Sequence, residues 1–185
     1  MRNGVTMQTM QNLLIGPGAL YKEFVNPASP GTLVGATSGG NTFRIEREYY
    51  EPEIDGLLGP LKGSTRVVKE VPIIEANLVE ITRDNLLLAL RGTQQENYGS
   101  PATHAKISSL GAVSAGDHVS SIAIVGEISG SQQPICYVIK NALSTDPVEI
   151  PLGDGKGTVA LKVKFTGYYS QESPFVPPWE MYAPI

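Results

Sequence analysis

One cysteine, two histidines and a single tryptophan in 185 residues leave little material for redox or metal chemistry. Cys136 has no partner for an internal disulfide, and its setting in Ile135-Cys136-Tyr137-Val138-Ile139 reads as a small buried hydrophobe. His104 and His118 stand at no C-x-x-C or H-x-x-x-H spacing, so no metal centre is expected. Asp117-His118 lacks a Gly-x-Ser-x-Gly elbow to act with and reads as a loop pair at a strand entrance. Gly153-Asp154-Gly155-Lys156-Gly157-Thr158 lacks the phosphate-loop spacing and leads into a strand, so it reads as a hairpin turn. No catalytic residue, no cofactor and no enzyme emerge from these residues.

Long apolar runs are also missing. None exceeds five residues, which excludes a helical membrane span and a signal-peptide core and leads us to expect synthesis and retention in the cytoplasm. Charge is scarce, at 17 % against roughly 25 % in typical soluble domains. The formal net charge of −4 and the absence of a long basic run argue against general affinity for nucleic-acid phosphates. An apolar share of 41 % still suffices for a core. A poorly charged surface on such a chain points to burial by neighbouring copies, because charge depletion marks interface cores.

The charges present are unevenly placed. Residues 1 to 40 hold only Arg2, Lys22 and Glu23, whereas residues 43 to 70 hold Arg44, Glu46, Arg47, Glu48, Glu51, Glu53, Asp55, Lys62, Arg66, Lys69 and Glu70. Mixed charge at that density suits contact with a surface of opposite pattern. Phe43, Ile45 and Tyr49 alternate with charged residues, although Arg47 breaks the apolar face, and a return run rich in Val and Ile spans Arg66 to Ile81. Pro52, Asp55-Gly56, Gly59-Pro60 and Gly63 between them are turn residues, so the segment reads as a protruding charged hairpin.

The 20 glycines and 14 prolines mark a turn-rich chain. Thr82 to Gly92 predicts one helix, capped by Thr82, with Leu86, Leu87 and Leu90 sharing a face and Gly92 as its stop. Residues 93 to 117 show no periodicity and read as a surface loop. Strands are expected at Val119 to Ile128, Ile135 to Lys140 and Val159 to Thr166. Shorter ones are expected at Leu13 to Ile15, Ala19 to Val25 and Leu33 to Ala36, the first two separated by Gly16-Pro17-Gly18. Pro174, Pro177, Pro178 and Pro184 force an extended tail with Trp179 and Tyr182 as anchors, wrapped on its own domain or on a neighbour. The sum is a mainly β domain with one helix.

In this order the segments resemble the tail tube (major tail) proteins of long-tailed bacteriophages, particularly those of Gram-positive hosts. The resemblance rests on residues 33 to 41, Ile54-Asp55-Gly56, Gly59-Pro60, Lys62-Gly63, Leu78 to Leu90 and Val125-Gly126-Glu127. It continues through residues 139 to 143, residues 165 to 169 and Pro178-Trp179-Glu180, covering nearly the whole chain. It implies a β-sandwich or partial barrel with one flanking helix, as a single domain over residues 1–185. An N-terminal arm (1–12), the protruding hairpin (43–70) and a C-terminal arm (173–185) complete that expected layout.

The implied role is structural. Six copies would form a ring, and rings would stack into a hollow tube around a tape-measure protein, capped by tail-tip or baseplate and tail-terminator proteins. The tube belongs to the virion tail and is assembled in the host bacterial cytoplasm. Double-stranded DNA would pass through without specific binding, and no membrane partner is expected. The eleven charges of the hairpin, with Trp179 and Tyr182, are the expected contacts between subunits or rings. Reversing Arg44, Glu46 and Glu48 together is expected to impair stacking more than folding. An inner-tube subunit of a contractile tail or a phage-derived injection machine, and a β-rich adhesion module, are the competing readings.

Overall fold

The computed structural model describes residues 4–150, 152 and 159–185, and antiparallel strands dominate them. The expected turn at Gly153 to Thr158 lies outside the described residues. Strands β1 (Leu14–Lys22), β2 (Thr32–Gly35), β3 (Thr42–Tyr50) and β4 (Arg66–Leu78) precede helix α1 (Arg83–Ala89). After it come β5 (Thr93–Tyr98), β6 (His104–Ser109), β7 (Val119–Ile128), β8 (Ile135–Ser144), β9 (Leu161–Gly167) and β10 (Trp179–Tyr182). One eight-stranded sheet runs in the order β2-β1-β7-β8-β9-β4-β3, with β10 added to β8. The sheet does not close into a barrel, and β2 and β3 are its edges.

Strand β8 explains how the chain's end joins this sheet. Its first half pairs with β10, from Cys136↔Tyr182 to Ile139↔Trp179, and its second half with β9, from Ala142↔Gly167 to Ser144↔Phe165. The exchange occurs at Lys140, whose N–H donates to the Pro178 carbonyl at 2.8 Å and whose carbonyl accepts from the Tyr168 N–H at 3.2 Å. Asn141 then adopts a left-handed φ of 48°, a conformation Asn tolerates better than most residues. The proline-rich tail first turns at Ser173–Val176, where the Val176 N–H donates to the Ser173 carbonyl at 3.2 Å, and then runs extended along its own domain through Trp179–Tyr182.

Alternation along β9 follows the sequence. Leu161, Val163 and Phe165 are buried while Lys162 points to solvent, although the strand begins at Leu161 rather than Val159. Phe165, Leu20, Ile74, Leu78, Ile122 and Ile139 form the centre of the main core, with Leu88 and Ala89 from α1. Ala123, Cys136 and Val138 fill a second, smaller cluster on the other side of β7 and β8 beneath Phe24. Both faces of β7 are therefore covered, as its continuous apolar run predicts.

Several expectations need correction. The two N-terminal strand segments are one strand: Ile15 pairs with Glu127 and Ala19 with Val125, so Gly16-Pro17-Gly18 forms a bulge within β1. Residues 93–117 are not a structureless loop but hold the β5–β6 hairpin and a short 3-10 turn at Ala115–Asp117. Strand β5 is mostly polar and exposed, and in β6 only Ala105 and Ile107 are apolar and half-buried, too short an alternation to stand out in the sequence. Helix α1 is capped by the Thr82 hydroxyl, which accepts the Asn85 N–H at 3.2 Å. Its buried face, however, is Asn85, Leu88 and Ala89, because the Asn85 amide is fixed to the Glu80 carbonyl at 2.8 Å. Gly92 does not stop the helix, which ends at Ala89. It opens β5 at φ +68°, where an added Cβ would meet the Ala112 carbonyl oxygen at 2.5 Å.

Candidate assembly surface

Pro72 and Gly167 release a ribbon from the sheet. Pro72 carries no N–H, so the β4–β9 ladder starts only at Ile73↔Thr166. A Cβ on Gly167 would sit 2.9 Å from Pro72 Cγ and 3.2 Å from the carbonyl oxygens of Lys140 and Pro178. Strand, switch point and tail therefore cross where only hydrogen fits. Beyond Pro72, residues 66–71 pair with β3 alone, Glu48 opposite Lys69 and Tyr49 opposite Val67, with Val68 bulged between. Six residues at ~3.4 Å each carry this ribbon ~20 Å past the ladder before the loop of residues 51–65 begins.

A clamp fixes the ribbon's base. Glu70 is 8 % exposed and receives Arg47 through Nε at 3.1 Å and a second guanidinium nitrogen at 3.3 Å. The Trp179 indole N–H donates to the same carboxylate, and the Arg47 guanidinium stands 5.7 Å from the centre of the Trp179 ring. Burial pushes the Glu70 carboxyl up, but the hydrogen bonds from Arg47 and Trp179, together with the Arg47 charge, hold it below the usual carboxylate range. Arg47, which interrupts the apolar pattern in the sequence, is the group that joins β3, β4 and β10. Phe43 stacks on Tyr137 at 5.2 Å nearby and approaches Trp179 at 6.5 Å.

The remaining candidate residues divide by position. Arg44 bonds Glu46 at 3.3 Å and Glu75 at 3.0 Å, and Lys69 bonds Glu48 at 2.7 Å, so these charges are neutralised along the ribbon. Glu51 accepts from the Thr65 hydroxyl at 3.4 Å. Glu53, Asp55, Lys62 and Arg66 form no ion pair among the described residues. Tyr182 lies apart from the hairpin: its hydroxyl donates to Glu180 at 2.6 Å, and Glu180 also holds Lys140. Those donors keep the Glu180 carboxyl below its ordinary value, the Lys140 hydrogen bond contributing most.

The charge pattern did not reveal the ribbon's apolar tip. Ile54, Leu57, Leu58 and Leu61 are exposed there, Leu58 completely. Scattered single Leu and Ile residues among turn formers carry no periodic signal, so only their common location identifies the patch. Phe175, 94 % exposed, and Val176 form another apolar site, across a groove from Val67 and Val68.

Among the described residues no group of three or more His, Cys, Asp or Glu side chains could hold a metal ion, and no helix is long and apolar enough to cross a membrane. Cys136 is fully buried, and burial pushes its thiol above the ordinary value. His118 caps the 3-10 turn just before β7 and meets the Tyr168 ring edge-on at 5.1 Å. Compared with known protein families and with curated proteins, the chain matches none.

Proposed function

We propose that this chain is a structural subunit of a bacteriophage tail tube, with six copies per ring and rings stacked into a conduit for DNA around a tape-measure protein. The projecting β3–β4 ribbon carries the reading. An isolated two-stranded ribbon is marginal in water, and this one ends in an uncovered apolar tip, the combination expected of a contact completed by another molecule. The open sheet supports the same role. Edges at β2 and β3 invite continuation by a neighbouring sheet, and joining several such sheets makes a barrel too wide for side chains to fill. A contact that repeats along an axis without closing yields a filament. The net charge of −4 discourages adhesion of DNA in transit.

Negative-stain microscopy of the concentrated protein should show rings and short stacks. A strictly monomeric species, even when supplied with tape-measure and tail-tip proteins from the same genome, overturns the proposal.

A further inference from the structure

Arg91, two residues beyond the end of α1, is a half-buried cation with no acceptor. Its Nε is shut off from solvent and makes no hydrogen bond, and among the described residues no carboxylate forms an ion pair with it. Burial pushes the guanidinium below its ordinary value, opposed only by the charge of Asp117. Asp117 is committed elsewhere: it accepts from the Ser114 N–H at 2.7 Å, the Ser114 hydroxyl at 2.8 Å and the Gly92 N–H at 3.3 Å. In the depression shared by Arg91 and Lys22, Asp84 is already paired with Arg83 at 2.9 Å. Two cations without an ion pair among the described residues therefore stand beside the Leu87 side chain. A guanidinium left in that condition costs stability that a carboxylate ligand would restore.

The ribbon tip has the opposite character. The loop of residues 51–65 contains Glu51, Glu53 and Asp55 against one basic residue, Lys62, and the last two acids form no ion pair among the described residues. The exposed Ile54, Leu57 and Leu58 lie among them. We propose that the Arg91–Lys22 depression receives the acidic tip of the β3–β4 ribbon from a second copy of this chain, Glu53 and Asp55 meeting the two cations while Leu57 and Leu58 cover Leu87. This rests on the assembly reading above and specifies which surface of the next subunit completes it. The charges are complementary in sign and are unpaired on both sides, the condition under which an interfacial pair adds specificity.

Charge reversal in a pelleting assay tests it. Lys22→Glu with Arg91→Glu, and separately Glu53→Lys with Asp55→Lys, should each raise the concentration needed for stacking at least tenfold, ~1.4 kcal/mol per contact. An equimolar mixture of the two variants should stack near the wild-type concentration, because each copy then offers the surface the other lacks. The chain carrying all four changes should do the same. Circular dichroism verifies folding, and Lys22→Gln with Arg91→Gln, which removes charge without adding repulsion, should give a smaller rise if the charge-reversed depression does not fold. Wild-type stacking left unchanged by the reversals, or a mixture that fails to stack, overturns this inference while leaving the assembly reading in place. Failure of the wild type to form rings or stacks under any condition removes both.

Discussion

Replacing Glu70 with Ala should loosen the ribbon from the sheet, and the chain's only tryptophan is placed to report it. The carboxylate is 8 % exposed and serves three donors, two nitrogens of Arg47 and the Trp179 indole N–H. Its removal leaves the half-buried indole N–H without an acceptor, a loss of about 1–3 kcal/mol. The ion pair adds little to that figure, because the Arg47 side chain remains 37 % exposed and water can solvate it. For a chain of this size each kcal/mol moves the melting temperature by about 2–4 °C, so a fall of about 2–12 °C is expected. Trp179 emission should shift to the red and become more accessible to acrylamide below the transition. Glu70→Gln keeps one oxygen acceptor for the indole and should show a smaller change in both. If Glu70→Ala shifts the melting temperature by less than about 1 °C with unaltered emission, the clamp does not hold the ribbon.

Acid should weaken the same clamp. The unfolded chain takes up a proton on Glu70 near pH ~4.3, whereas the folded state, through Arg47 and Trp179, resists protonation to lower pH. The stabilisation is therefore complete above that pH and lost as pH falls through the lower folded value. The stability gap between wild type and Glu70→Gln should accordingly shrink below pH ~4.3, and a gap that widens contradicts the assignment. Gly167→Ala should cost about 1–3 kcal/mol, because its Cβ meets Pro72 Cγ at 2.9 Å and two carbonyl oxygens at 3.2 Å. Gly126→Ala, whose Cβ would meet the movable Leu14 Cδ1 at 3.3 Å, should cost less, and urea midpoints compare the two.

Legibility in the sequence followed the physics of each segment. Period-2 burial made β9 readable, and the continuous apolar runs made β7 and β8 readable, because a core leaves that imprint on every strand it covers. Strands β5 and β6 bear only a faint imprint, since no residue of either belongs to a core cluster and only Ala105 and Ile107 alternate as half-buried apolar side chains. The helix was placed by its Thr82 cap, but its buried face was not, because the deciding residue is polar: Asn85 is held by a hydrogen bond to Glu80. The charge density of residues 43 to 70 marked the hairpin, yet composition could not separate charges that brace the ribbon from charges left uncompensated at its tip. Cross-strand register draws that line, setting Glu48 opposite Lys69 and Arg47 opposite Glu70.

That division alters what a charge reversal on the hairpin measures. Reversing Arg44, Glu46 and Glu48 together sets a new carboxylate at position 44 against Glu75 and a new cation at position 48 against Lys69. Both are like-charge juxtapositions between β3 and β4, one at the base of the ribbon and one within it, and opposed like charges destabilise a strand pair. The triple variant therefore weakens the ribbon itself, and any loss of stacking would follow from a disordered β3–β4 pair rather than from an altered contact. Glu53 and Asp55 oppose no partner within the chain, so reversing them changes the field of the tip without setting one ribbon charge against another. The contact, if this surface makes it, is read at positions 53 and 55, and the integrity of the ribbon at 44, 46 and 48.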